Sequence, residues 1–212
     1  NRWYGYVTSD TVATNGSATP NLAWGLVGGK NKTTADKLGE ITNLANRLIL
    51  SYDILKPGAD KGISFKWANL SNSTTGASAK MWLNKGTVGA GPSAASIAAP
   101  IPGDGKGEDR LNFIRGVRSK ESSNGGTFRN RKNIHGDIVN SAVWYTGAPV
   151  SGYSTSGYTS FAKAYRARLP MIYVGANDGM LHGFSAENGT EKIAYVPHGV
   201  IQNLAQLTDP LY

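Results

Sequence analysis

The run from Met171 to Val196, MIYVGANDGMLHGFSAENGTEKIAYV, restricts the fold more than any other part of the sequence. Three short stretches of apolar, aromatic and β-branched residues (Met171 to Gly175, Met180 to Phe184 and Glu191 to Val196) are separated by two segments of turn residues. Asp178-Gly179 in the first segment and Asn188-Gly189 in the second suit primed turns, which need positive φ. Strands this short, joined this tightly, satisfy their backbone groups most simply as an antiparallel meander. The sequence therefore predicts strands at these three places, turns at Asn177-Asp178-Gly179 and Asn188-Gly189, and no helix between Met171 and Val196.

Meanders of this kind, with glycine in the turns, are the units from which propeller blades are built. The composition agrees with many turns and short strands, since 27 of 212 residues are Gly and only 17% are charged. Elsewhere the pattern is mixed. Asn1 to Val12 alternates like a strand, Asp36 to Tyr52 carries apolar residues at helical spacing with Thr33 or Thr34 as cap, and Arg47 to Tyr52 is equally good strand sequence. Ile63 to Leu70 reads as a strand, Ile134 to Val143 leads into Trp144 and Tyr145, and Gly86 to Gly107 is a Gly/Ala/Ser/Pro-rich linker or surface loop. The predicted fold class is mainly β: a partial β-propeller with quinoprotein-like blades, a short helix and long loops. A propeller needs four to eight blades, each of roughly 40 to 50 residues, and one blade is identifiable, so open strand edges are expected. With no leader behind Asn1, the chain reads as a mature or internal piece.

Four blocks carry a resemblance to a known family: DRLNFIRGVRSKESSNGGTFRNR (Asp109 to Arg131), HGDIVNS (His135 to Ser141), PMIYVGANDGMLHGFSAENGTEKIAYVP (Pro170 to Pro197) and NLAQLTDPLY (Asn203 to Tyr212). In order and spacing they resemble the C-terminal propeller region of the PilC/PilY proteins. The resemblance implies a bacterial surface protein of the outer membrane or pilus tip, extracellular, supporting pilus assembly, adhesion and motility. Its implied partners are minor pilins or the pilus tip, a host or abiotic surface ligand, and further copies of itself through open strand edges, with no membrane span. It divides the chain into 1–85, an N-terminal part of the propeller region, 86–107, the loop, and 108–212, a propeller segment continuing beyond the chain end. Two departures stand out: Arg115-Gly116-Val117 where relatives often carry Arg-Gly-Asp, and His135-Gly136-Asp137-Ile138 where they carry Leu-Gly-Asp-Ile. The second reads as surface variation near a strand start.

Catalytic and metal chemistry find no footing in the sequence. Cysteine is absent, and His135, His182 and His198 are not paired at metal-ligand spacing. Around Asp104 and Asp178 the calcium-loop pattern D-x-[DN]-x-[DN]-G is not met, so these carboxylates read as solvated turn residues, and a lone strand histidine such as His182 reads as a packed or rim residue. No cofactor is expected and no catalytic residue is assigned. From Arg110 to Lys132 there are seven basic residues against Glu121 alone. The simpler reading is a solvated loop whose arginines also cap carbonyls; the sharper one makes Arg115, Arg118, Arg129, Arg131 and Lys132 contacts to an anionic surface. Two other classes remain as alternatives to a pilus surface protein. One is a quinoprotein-type dehydrogenase, whose blades use similar turns but need a metal and a catalytic carboxylate; the other is a basic binding module for anionic polymers.

Overall fold

The computed structural model describes residues 4–73, 77–85 and 103–212. Most of the expected 86–107 linker and the first residues of the expected Asn1 to Val12 strand lie outside this set. The described residues form a mainly β structure around a six-stranded sheet of order β6-β5-β10-β9-β8-β7. Its strands are β5 (Ile49–Tyr52), β6 (Gly62–Ser64), β7 (Trp144–Thr146), β8 (Met171–Ala176), β9 (Met180–Ser185) and β10 (Glu191–Val196). All neighbours are antiparallel except β10 and β5, which run parallel. Two small hairpins precede the sheet: β1 (Asp10–Val12) with β2 (Ala18–Pro20), and β3 (Leu26–Val27) with β4 (Lys30–Asn31).

The meander stands where the sequence places it, with different turn geometry. β8 and β9 pair from Met171 opposite Ser185 to Ala176 opposite Met180, leaving a three-residue loop. Only Gly179 in that loop has positive φ, at 87°. Asp178 stays in the ordinary region because its carboxylate is tied inward, so the turn is the three-residue kind closed by a left-handed glycine rather than a primed two-residue turn. In the second turn Gly189 has φ 72° and an added Cβ there would meet the Trp24 ring at 2.7 Å. Trp24, fully buried, donates its indole N–H to Ala186 O (3.0 Å) and so anchors the N-terminal hairpins over this turn.

Helices are short. Thr33 caps α1 (Thr34–Gly39) in a capping box with Asp36. The helix expected to reach Tyr52 ends at Gly39, because Ile49 to Tyr52 is claimed by the sheet, with Ile49 opposite Ala194. The strand expected at Ile63 to Leu70 is reduced to β6 and a 3-10 turn at Trp67–Asn69. Past α2 (Ala79–Leu83) lie two helices the sequence reading did not place: α3 (Gly107–Ile114) and α4 (Ser156–Ala164). The cap of α3 is non-local: Asn84 Oδ1 accepts from Gly107 N at 2.7 Å, and Glu108 and Asp109 sit in the positive first turn.

The core lies against one face of the sheet. Ile49, Met180, Ala194 and Val196 pack with Phe65, Leu70, Leu83, Leu111, Ile114 and with Ile201, Leu204 and Leu207 of the 3-10 segment His198–Thr208. A smaller cluster of Leu38, Ile134, Val174 and Phe184 adjoins it. Because α2 and β5 share a core with α3 and β10, the first and second halves of the chain fold together rather than as separate units.

Gly179 is the turn position most exposed to test. Replacing it by Val should cost about 1–2 kcal/mol for the left-handed backbone alone, and more because a Cβ there would fall 2.3 Å from the buried Leu204 side chain. Urea denaturation should show a lowered midpoint; an unchanged midpoint would mean that the turn does not hold this geometry.

Candidate functional site

The chemistry-bearing residues of the sheet converge on its inner face. In register across the strands stand Val174, His182, Ala194 and Ile49, an apolar row with one histidine in it. His182 is fully buried. Its Nδ1 lies 2.8 Å from Glu191 Oε1, and its Nε2 lies 3.0 Å from Asp178 Oδ2. A neutral imidazole has one N–H and would leave one carboxylate facing a lone pair, whereas an imidazolium donates to both. Burial opposes that charge, but Asp178 and Glu191 outweigh it and raise the His182 pKa from the ordinary 6.5 to about 9.

Each carboxylate has further support. Asp178 accepts from the backbone N–H of Gly136 (2.8 Å) and of Met180 (3.1 Å). Burial works against its ionisation, yet the imidazolium and these donors hold it well below the usual carboxylate range. Glu191 faces Arg47 through two parallel bonds, Nε to Oε2 at 2.7 Å and Nη2 to Oε1 at 2.8 Å; burial raises its pKa, and Arg47 and His182 bring it below the ordinary value. Arg47 Nη1 donates to Arg115 O (2.7 Å), and Arg115 in turn donates to Phe65 O (2.9 Å). One buried chain of charges thus links β5, β9, β10, the end of α3 and the loop at Gly136.

A β-bulge makes this possible. Val196 and Ala194 face inward, so strict alternation would send Lys192 inward and Glu191 outward. The register instead shifts between Glu191 and Ile193, placing Glu191 opposite Phe184 on the inner face.

His135 completes the site. It is buried, stacks on His182 at 4.7 Å and 18°, and on Phe184 at 5.7 Å. Its Nδ1 lies 2.7 Å from Gly136 O, which fixes that nitrogen as the donor. Burial and the adjacent imidazolium lower its pKa, so it stays neutral. Its Nε2 has no hydrogen-bond partner among the described residues, and His135 borders a cavity of about 20 Å³, room for one water.

Two sequence readings are corrected here. Asp178 is not a solvated turn carboxylate but a buried ion, and His135 is not surface variation but a ring in the core stack. His135 was not legible locally because His182 lies 47 positions away, and Asp178, though only four residues from His182, sits among turn residues that read as solvated. Among the described residues no group of three or more His, Asp or Glu is arranged to hold a metal ion.

The basic segment is divided between two environments. Arg110 is buried and paired with Asp104, whose carboxyl it holds down at about 2 against the effect of burial. Arg115 is buried in the ion chain. Arg131 faces Glu121 (2.8 Å), donates to Phe113 O and Val117 O, and lies 3.5 Å over the Phe113 ring; burial pulls its pKa to about 10. Arg118 is more open and donates to Arg131 O and Lys132 O. Arg129 is half-buried and donates through Nε to Leu207 O. Lys132 is exposed and donates to the Tyr4 hydroxyl (2.7 Å). The structure thus brings Arg129, Arg131 and Lys132 to one open basin and sends Arg115 inward.

The expected propeller is seen only as one six-stranded mixed sheet, with no closed propeller among the described residues. Residues 135–208 match the family model of the PilY1 beta-propeller domain. The type IV pilus biogenesis factor PilY1 of Pseudomonas aeruginosa strain PAK is 44% identical over 114 residues, 50% of this chain and 9% of the relative. A PilY1 homolog of Xylella fastidiosa strain Temecula1 is 44% identical over 110 residues (49% and 9%), and the PilY1 of P. aeruginosa strain UCBPP-PA14 is 32% identical over 170 residues (76% and 13%). No solved structure matches the chain. The chain is a homologue of these PilY1 proteins, and it spans only about a tenth of their length. No helix among the described residues is long and apolar enough to cross a membrane.

The ion chain makes stability depend on pH in a defined way. The raised His182 pKa contributes stability that is full below about 6.5 and is lost as pH rises through about 9. The lowered carboxylates Asp178 and Glu191 contribute stability that is present above their ordinary values of 3.8 and 4.5 and is lost as pH falls below them. The melting temperature should therefore be highest between about pH 5 and 6.5 and fall towards pH 9 and beyond. His182→Gln should lower stability at pH 6 and flatten the alkaline limb; an alkaline limb of unchanged slope in the variant would assign the titration elsewhere.

Proposed function

We propose that this chain is a segment of the propeller of a non-enzymatic bacterial surface protein that supports type IV pilus assembly, adhesion and motility at the outer membrane or pilus tip. In this reading residues 1–85 and 108–212 are two parts of one propeller region joined by 86–107. The observation that carries it is the match of residues 135–208 to the PilY1 beta-propeller domain, on a sheet whose outer face exposes Trp144, Leu181 and Tyr195.

That face is apolar. Trp144, Tyr173, Gly183 and Ile193 stand in one cross-strand row opposite the core, with Leu181 and Tyr195 in the next, and Trp144 is 71% exposed. Among the described residues no strand pairs with the outer edge of β6 or of β7. Face-to-face packing of a second sheet covers such a surface, and strand addition satisfies such an edge. Further propeller blades, minor pilins, the pilus tip or another copy of the chain are the partners this surface suits. The buried Asp178, His182 and Glu191 saturate one another and present no nucleophile, which supports a structural rather than catalytic role.

In the parent bacterium, deletion of the gene encoding this chain should abolish surface pili and twitching, with restoration by the wild-type gene; normal piliation in the deletion strain overturns the proposal. The isolated chain should self-associate in size-exclusion chromatography with light scattering and give no dye-linked oxidation of alcohols or sugars with added quinone and calcium. A monomer whose first and last strands close one ring, or clear turnover, would count against it.

A further inference from the structure

We propose that the basin between the turn at residues 129–132 and the C-terminal segment binds a carboxylate- or sulfate-bearing sugar unit of an acidic polysaccharide. The basin has a volume of about 580 Å³ and is lined by Ser122, Arg129, Asn130, Arg131, Lys132 and Tyr212, with no acidic residue among them. Of the three cations, Arg131 is already neutralised by Glu121 and spends its remaining donors on carbonyls. Arg129 and Lys132 have no carboxylate within ion-pair distance among the described residues.

Arg129 is placed as a receptor group. Its Nε donates to Leu207 O, its backbone N–H donates to Thr208 O (3.1 Å), and the guanidinium lies 5.0 Å over the Tyr212 ring. These contacts fix the side chain while neither Nη has a protein partner among the described residues. A guanidinium held by Nε with both Nη groups free is the fork that recognises carboxylate or sulfate. Burial lowers its pKa, while Tyr212 and, after it, Asp137, Glu121 and Asp178 act to raise it; none of these forms an ion pair with Arg129 among the described residues, and the basin's lining carries no acidic side chain. Lys132, 4.2 Å over the Tyr4 ring and bonded to its hydroxyl, supplies a second fixed cation.

The neutral groups decide between ligand classes. Asn130 Oδ1 accepts from Ser123 N–H (2.9 Å), which leaves the amide NH2 available, and the exposed Ser122 adds a hydroxyl. Two unpaired cations with hydroxyl and amide partners suit a sugar carrying one charge per unit and several hydroxyls. A nucleic acid presents a dense row of phosphates and is held by six to ten such contacts in salt-sensitive binding, far more than this basin offers. A single inorganic anion would leave most of the volume empty.

The test uses the folded chain in isothermal titration at low and moderate salt, with a sulfated heparin tetrasaccharide, a galacturonate tetrasaccharide, neutral maltotetraose and a thymidine oligonucleotide. Binding of either acidic tetrasaccharide but not of maltotetraose is the expected result, and the two arms tell sulfate from carboxylate. Lys132→Gln, at an exposed position, and Arg129→Lys, which keeps the charge but removes the fork, should each weaken binding about tenfold or more. Lys163→Gln on exposed α4, which removes the same charge elsewhere, should leave it unchanged. Should Arg129→Lys misfold by circular dichroism, Lys132→Gln alone decides. Lack of binding to both acidic sugars, equal binding of maltotetraose, tighter binding of the oligonucleotide, or equal loss in Lys163→Gln each overturns the proposal. Because the readout is binding in solution, its failure is distinct from a failure of the pilus reading, which gene deletion tests.

Discussion

A histidine cation held between two carboxylates inside the sheet sets the terms for the rest of the structure. Removing His182, Asp178, Glu191 and Arg47 from water is expensive, and their mutual attraction offsets this only when every lone pair and N–H has a partner. Here the partners come from five different places in the chain: Arg47 (two residues before β5), β9 and its turn, the bulge of β10, the backbone at Gly136 and the carbonyl of Arg115. The value of such a chain is register. A one-residue slip of β9 would turn His182 to the other face and take the shared cation away from Asp178 and Glu191, so alternative pairings are excluded far more strongly than apolar packing alone would exclude them.

The same economy governs the arginines. The described structure has long stretches without helix or strand, and their carbonyls need donors. Arg115, Arg118, Arg129 and Arg131 supply them, bonding to the carbonyls of residues 44, 47, 65, 113, 117, 131, 132 and 207. A segment that looks in sequence like a charged surface is therefore largely internal scaffolding. What remains outward is the small residue of charge on Arg129 and Lys132.

The meander was readable because its signals are local: alternation fixes the strands, and glycine fixes the turns. The helix at Thr34 was readable through Thr33 and Asp36, three residues apart. The ion chain was not, since Arg47 and Glu191 are 144 positions apart and nothing near either residue marks the other. Glu191 is hidden further by the bulge, which breaks the period that sequence reading relies on. Helix α3 was missed for a related reason, its cap being Asn84 rather than a neighbour. Charge and turn composition near Asp178 pointed outward, and only the position of His182 in the register turns it inward. Of the basic residues, sequence could count the charges but could not say which were already used.

These constraints bear on why the second face of the sheet remains apolar and open. A blade stabilised solely by sandwiching between neighbours would lose its order when one neighbour is absent. This sheet carries its own polar lock on the inner face, backed by α2, α3 and the 198–208 segment, and so does not need its outer face covered in order to hold its register. The outer row of Trp144, Tyr173 and Ile193 is then free to serve assembly, with Gly183 between them allowing the Tyr173 and Ile193 side chains to close over the strand. Division of labour between a charged inner face that specifies the fold and an apolar outer face that meets another sheet is what a repeating blade architecture requires. It leaves the loops that the arginines hold in place as surface committed neither to the sheet nor to the ion chain.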